Sequence, residues 1–271
     1  MDKFVDVKKL IASKNKNLLK WLPRFTVSWV EKIIHQDEVN DFMSRQKGKD
    51  SFGFSKALVE EFNLTLNLKG AEHIPELNQS CIFASNHPLG GLDAIAIIHL
   101  FRDIRPDIKF IVNDLLMGVK NLEDKFIGVN LVGKNAVSSL QKVEEQFASD
   151  SATFLFPAGL VSRKIDGRVE DLEWKKTFVS KSKKYQKPII PIHIDGKLTN
   201  RFYRLANLRK FLGVKLNFEM FYLVDELFKQ KNMTIDITIG EPIDSEVFSR
   251  EKNDKEWAEW VRKKVYQLNR V

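Results

Sequence analysis

From Leu64 onward, short apolar runs alternate with longer segments that repeat at helical spacing, and this alternation constrains the fold more than any other feature of the chain. The runs Leu64–Leu68, Cys81–Ser85, Lys109–Val112, Thr153–Phe156, Ile189–Ile194 and Thr234–Ile239 have the length and the β-branched and aromatic content of strands. Between and after them, Asp93–Phe101, Ala136–Phe147, Leu172–Tyr185, Arg201–Leu212 and Lys255–Leu268 read as helices. Strands alternating with helices of that length predict an α/β fold: a mixed central sheet layered by helices. Upstream, Leu10, Ile11, Leu18, Leu19, Trp21 and Leu22 recur near helical spacing until Pro23 interrupts them. A second helix is expected over Phe25–Met43, then a turn around Gly48. The expected organisation is an N-terminal helical segment, residues 1–62, followed by the main domain, residues 63–271. No run approaches the roughly 18 to 20 apolar residues that cross a bilayer, and the opening MDKFVDVKKL lacks a signal-peptide core. The single cysteine, Cys81, heads an apolar run and is expected to be a small core residue in a reducing compartment.

Chemistry concentrates in two strand-to-turn segments. The first is Ser85-Asn86-His87-Pro88-Leu89-Gly90-Gly91-Leu92-Asp93. The end of a strand in an α/β sheet is where such folds place reactive groups, and Gly90 and Gly91 permit backbone conformations closed to other residues. A hydroxyl is a poor nucleophile at neutral pH, so moving a group onto one needs a base, and histidine titrates in the useful range. A carboxylate on the other ring nitrogen fixes the tautomer and stabilises the imidazolium. His87 and Asp93 suit that pair. Asp93 equally suits a cap of the helix it opens. His35, His73, His99 and His193 lack such neighbours and read as structural. The second segment is Phe154-Leu155-Phe156-Pro157-Ala158-Gly159-Leu160-Val161-Ser162-Arg163-Lys164, a strand running into a Pro/Gly turn. Arginine binds phosphate or carboxylate through paired hydrogen bonds and lysine adds a point charge, although a plain strand-end turn with exposed cations reads the same way.

Charge is unevenly spread. Between Trp174 and Lys215 there are twelve Lys or Arg against one acid, Asp195, so this block alone exceeds the net charge of +8 and leaves the remainder net negative. Such a block fits an anionic partner or a solvated lysine-rich surface. Within it, Asn200–Leu212 interleaves cations with aromatic and aliphatic residues, as in a helix lying in a lipid head-group layer. Lys8–Trp29 has a similar composition. Zinc-ligand spacing and an RNA-binding aromatic signature are missing, so nucleic acid is not an expected partner. The chain has no Gly-x-Ser-x-Gly elbow, P-loop or dinucleotide glycine fingerprint, which argues against a serine hydrolase or a nucleotide enzyme.

The Asn86-His87…Asp93 segment resembles the signature of the glycerolipid acyltransferases, the family of glycerol-3-phosphate and lysophosphatidate acyltransferases. That signature spaces His and Asp by four residues; here five intervene, Pro88 to Leu92. The Pro-Leu-Gly-Gly insert is similar to a hemolysin-like bacterial branch that includes enzymes acylating aminoacyl lipids. Phe156-Pro157-Ala158-Gly159 with Ser162-Arg163 resembles the family's acceptor-binding block, with Ala158 in place of its glutamate and Leu160-Val161 in place of Thr-Arg. Pro188–Ile192 resembles the family's late apolar-proline strand, and Lys134, at the end of Phe126–Lys134, stands where the middle block has arginine. The matches keep the family's order from about Leu64 to Gly196. The resemblance implies an acyltransferase in which His87 is the base and Asp93 its partner. Asn86, Gly90, Gly91, Gly159, Ser162, Arg163 and Lys164 would bind substrate. It implies no metal and no bound cofactor, with the acyl thioester arriving on acyl carrier protein or coenzyme A. A peripheral position on the inner, cytoplasmic face of the membrane is expected. The family's default acceptor is 1-acylglycerol-3-phosphate. The altered acceptor block leaves a lyso-aminoacyl lipid as the alternative. From another class, a catalytically inactive lipid- or nucleic-acid-binding protein also remains.

Overall fold

A computed structural model describes residues 3–14, 23–129, 136–214 and 218–270. In chain order the strands are β1 (Thr65–Lys69), β2 (Ile82–Ser85), β3 (Lys109–Asn113), β4 (Phe126–Val129), β5 (Thr153–Leu155), β6 (Arg163–Ile165), β7 (Arg168–Glu170), β8 (Ile189–Ile194) and β9 (Thr234–Ile239). The helices are α1 (Val7–Lys14), α2 (Arg24–Ile33), α3 (Gln36–Arg45), α4 (Ser51–Glu61) and α5 (Gly91–Leu100), then α6 (Ala136–Ala148), α7 (Thr177–Tyr185), α8 (Asn200–Phe211), α9 (Leu223–Phe228) and α10 (Asp254–Gln267). They fall into two compact units, one of Asp50–Lys197 with Asn232–Val271 and one of Met1–Lys49 with Leu198–Lys231.

The larger unit holds a seven-stranded mixed sheet in the order β1-β9-β8-β2-β5-β3-β4. All neighbours pair in parallel except β8 with β9. The central strands β2, β5 and β8 are buried at every residue. That explains why they read as unbroken apolar runs and not as an alternation, since a sheet covered on both faces has no wet side. Helices α6, α7 and α10 supply one covering layer, where Val143, Phe147, Phe178, Trp257, Val261 and Val265 pack with Ile82, Leu155 and Ile189. Pro191 sits in a central strand yet breaks no ladder. The β8–β9 pairing runs from Ile192 to Ile194 and resumes only at an Ile189–Ile243 bridge. Pro191 falls in the gap, where its missing donor is not needed and its carbonyl accepts from Gly240 N–H at 2.9 Å.

The structure adds β4, α4 and α9 to the expected elements, and three further departures have a visible cause. The helix expected over Phe25–Met43 is two helices, α2 and α3, broken at His35, whose backbone is left-handed (φ 48°, ψ 47°). Its ring stacks on Phe228 at 4.1 Å and Nε2 lies 3.2 Å from Asp225, so contacts within the smaller unit fix the bend. The helix expected from Leu172 starts at Thr177. Residues before it are held by bonds outside the helix, Lys175 N–H to Pro157 O and Trp174 Nε1–H to Asp171. Third, β6 and β7 form a hairpin where no strand was expected.

The basic block divides in two. On α7, Lys181, Lys184 and the Tyr185 hydroxyl all bind Glu144 of α6, holding its carboxyl down to about 2. Lys183 binds Asp254, and buried Lys187 donates to the carbonyl of Ser149. These cations join elements of the larger unit. On α8, in the smaller unit, Phe202, Tyr203 and Ala206 are buried while Arg201, Arg204 and Lys210 are exposed.

Cys81 is fully buried, and burial pushes its thiol up to about 12. We expect no alkylation of the folded protein at pH 8 over hours and full labelling in denaturant, counted by intact-mass spectrometry. Rapid labelling of the folded chain would contradict the packing.

Candidate active site

Parallel pairing of β2 with β5, in the register Ile82–Thr153 to Ala84–Leu155, makes the two motif segments leave the sheet at the same edge. They are stitched together there. Ser162 N–H donates to His87 O at 2.8 Å, and the His87 ring stacks on Phe156 with centroids 4.0 Å apart and planes inclined by 19°. Strand β8, parallel to β2 on its other side, fixes the preceding residue. The buried Asn86 amide donates to Ile194 O at 2.8 Å and accepts from Ile194 N–H at 2.7 Å, as a strand residue would.

His87 Nδ1 lies 2.8 Å from Asp93 Oδ2, and the same oxygen accepts from Leu89 N–H at 3.0 Å. An oxygen already accepting a backbone donor, on a carboxylate at a helix N-terminus, makes Nδ1 the donor of the short bond. Nε2 is then the unprotonated nitrogen, and it has no hydrogen-bond partner among the described residues. The ring is 17% exposed while Asp93 is fully buried, so the imidazole reaches the surface and the carboxyl beside it does not. Asp93 does not act as the cap that its position in the sequence also allowed. Gly90 occupies the cap position, and Asp93 lies in the first turn with its side chain turned back toward the loop. Gly90 makes that return possible with φ 73° and ψ −135°, a conformation open essentially to glycine alone. With five residues between them, His87 and Asp93 still meet at 2.8 Å.

The other predicted substrate-binding residues separate into two groups. Gly91 and Gly159 are exposed. A Cβ at Gly91 would meet open space, and one at Gly159 (φ +69°) would meet Lys175 Nζ at 3.1 Å. Ser162 and Arg163 are turned inward. The Ser162 hydroxyl donates to Asp171 at 2.5 Å, and Arg163 Nη1 donates to the Val161 carbonyl at 2.5 Å. Lys164 lies half-buried in the hairpin. Lys134 lies outside the described residues.

Sequence reading missed Asp171, Trp174 and Tyr266. Asp171 is buried and accepts from Ser162 Oγ–H, from His87 N–H at 3.2 Å and from Trp174 Nε1–H at 2.8 Å. Its own N–H donates to the Tyr266 hydroxyl at 2.7 Å. The signal that finds it is Asp166-Gly167, a two-residue hairpin turn with both residues at positive φ, 48° and 82°. The turn pairs Arg163 with Glu170 and so returns Asp171 to Ser162.

Residues 9–271 match the acyltransferase family. The chain belongs to that family. The acyltransferase is 40% identical over 265 residues to lyso-glycine lipid O-acyltransferases from Phocaeicola vulgatus and Bacteroides thetaiotaomicron, covering 97% of its own length and 95% and 97% of theirs. Its fold is similar to the crystal structure of the 1-acyl-sn-glycerophosphate (LPA) acyltransferase PlsC from Thermotoga maritima. The TM-score is 0.50 at 20% identity, over 91% of this chain and 93% of that one.

Burial pushes the carboxyls of Asp93 and Asp171 above the usual carboxylate range; the bond to His87 opposes this at Asp93, where the Asp171 charge adds to it, and the bonds from Ser162 and Trp174 oppose it at Asp171. A raised carboxyl binds its proton more tightly in the folded enzyme than in the unfolded chain. Each therefore costs stability once the pH exceeds the unfolded value, and increasingly up to the folded one. Asp93→Asn keeps an acceptor for His87 and removes one buried charge. We expect this variant to lose about 10²–10⁴ in turnover yet to unfold at a higher denaturant concentration at pH 8, with the difference shrinking toward pH 4. A lower midpoint at pH 8 would show that the charge is better solvated than its burial implies.

Proposed function

We propose that this acyltransferase moves a fatty acyl group from an acyl thioester to the hydroxyl of a lyso-lipid, and that its acceptor is a lyso-glycine lipid. The sequence alone favoured 1-acylglycerol-3-phosphate; two relatives alike over nearly their whole length favour the aminoacyl-lipid alternative. The observation that carries the choice lies in the acceptor turn. Among the described residues, Ala158 is buried where the family has glutamate, the Ser162 hydroxyl is given to Asp171, and Arg163 Nη1 is given to a backbone carbonyl, so Ser162 and Arg163 are turned away from the phosphate-binding role their motif positions suggest.

In the proposed reaction His87 Nε2 takes the proton of the acceptor hydroxyl as its oxygen bonds to the thioester carbonyl carbon. Asp93 holds Nδ1–H and stabilises the imidazolium. Collapse of the tetrahedral intermediate breaks the carbon–sulfur bond, and the departing thiolate takes the proton back from Nε2. The thioester, on acyl carrier protein or coenzyme A, is a substrate. His87→Ala is expected to lower turnover about 10²–10⁴-fold, and unchanged turnover would leave only a lipid-binding role or another base. With palmitoyl thioesters of both carriers and purified enzyme, product mass spectrometry should show the lyso-glycine lipid acylated at least about tenfold faster than 1-acylglycerol-3-phosphate, a gap of about 1.4 kcal/mol in transition-state binding. The reverse preference would overturn the acceptor assignment.

We further propose that the smaller unit docks the enzyme on lipid at the inner face of the membrane. Every exposed aromatic among the large apolar residues described belongs to it: Phe4, Phe25, Trp29, Phe211 and Phe221. On α8 the end of the helix exposes Leu208, Phe211 and Leu212 beside Lys210. Among the described residues no helix is long and apolar enough to cross a membrane. Aromatic side chains among cations suit a head-group layer, where each cation near an anionic leaflet contributes about 1 kcal/mol. Flotation should show stronger binding to vesicles with anionic lipid than to neutral ones, and Phe211→Asp should weaken both. Equal binding to the two vesicle types would contradict the electrostatic share.

A further inference from the structure

Asp171 belongs to neither motif segment, yet it binds both. Its Oδ1 accepts from the backbone N–H of His87 and from the hydroxyl of Ser162, and its Oδ2 accepts from Trp174 Nε1–H. The Pro157–Ser162 turn is held a second time, because Lys175 N–H donates to Pro157 O one residue beyond Trp174. An ionised carboxylate accepts all three donors without a proton of its own to place among them. Such an anion is costly to bury, and the structure keeps it at 1% exposure.

We propose that Asp171 is a positioning residue that sets where the catalytic imidazole points. It rests on the His87 reading given above. The ring of His87 is aimed by two contacts, Asp93 on Nδ1 and the face of Phe156. Those contacts sit on different loops, Asp93 on the segment after β2 and Phe156 on the segment after β5. The ring satisfies both only while the two loops keep a fixed separation. Ser162 N–H to His87 O is one tie between them, and Asp171, bridging His87 N–H and Ser162 Oγ, is the other. The hairpin β6–β7 delivers Asp171 to this place, and the hydroxyl of Tyr266 on α10 anchors its backbone N–H. Releasing the tie lets the loops shear, and a displacement near 1 Å at a reacting group costs about 10²-fold in rate.

Asp171→Asn cannot satisfy the same three donors, since either orientation of the amide turns an NH2 toward a donor. Trp174→Phe keeps a ring in the core and deletes one donor, so it is the milder variant if the first folds poorly. For both, kcat per folded enzyme, KM for thioester and acceptor, and amide hydrogen exchange at His87 are measured beside His87→Ala. We expect Asp171→Asn to lose about 10- to 100-fold in kcat with each KM within about twofold, faster exchange at the His87 amide, and Trp174→Phe in between. A wild-type kcat per folded Asp171→Asn molecule, with His87→Ala inactive, would overturn the positioning role and leave the base intact. Losses confined to the folded fraction or to KM would overturn it equally. Full activity in His87→Ala would instead overturn the reading of the site, and this role with it.

Discussion

The parallel pairing of β2 with β5 is the constraint on which the site depends. Two strands that run the same way and end in register must release their following loops at one edge of the sheet. With β8 parallel on the other side of β2, three strand ends converge there. Asn86, His87, Phe156 and Ile194 are neighbours because of that register, though more than a hundred residues separate the first from the last. A slip of one residue between β2 and β5 would exchange the faces on which their side chains lie and separate the imidazole from its stacking partner. The apolar core beneath, from Phe83 and Phe154 outward, makes such a slip expensive, because those residues have no exposed surface to move into.

Two buried carboxylates are the cost of this arrangement. Asp93 and Asp171 flank His87, one on its ring and one on its backbone, and burial disfavours the charge of both. Asp93 Oδ1 has no hydrogen-bond partner among the described residues, so the helix N-terminus, Leu89 N–H and the imidazole carry the stabilisation of that charge. A site assembled only for stability would hold neutral groups at both positions. Retaining the charges fits a reaction in which positive charge develops on the imidazole between them.

The architecture was legible in the sequence because the central strands are covered on both faces and therefore stand out as continuous apolar runs. The His87–Asp93 pair was legible because both residues sit in one nine-residue segment. What escaped was non-local. His35 breaks a helix through its contacts with Asp225 and Phe228, which no periodicity near His35 encodes. The cations of α7 looked like a surface for an anionic partner, but Glu144 and Asp254 pair with three of them from other helices. The inward turn of Ser162 and Arg163 follows from the hairpin, and only the Asp166-Gly167 dipeptide announced it. The acceptor was not legible from the motif alone, since the altered turn shows what it lacks more clearly than what it binds.

The central claim is that His87 presents an unprotonated Nε2 to substrate because Asp93 keeps the proton on Nδ1. Nitrogen-15 NMR of histidine-labelled enzyme at pH 8 reads this tautomer directly. The account predicts that His87 carries a protonated Nδ1, seen as a downfield proton resonance, together with an imine-type Nε2. A neutral ring protonated on Nε2, with Nδ1 bare beside Asp93, would contradict it.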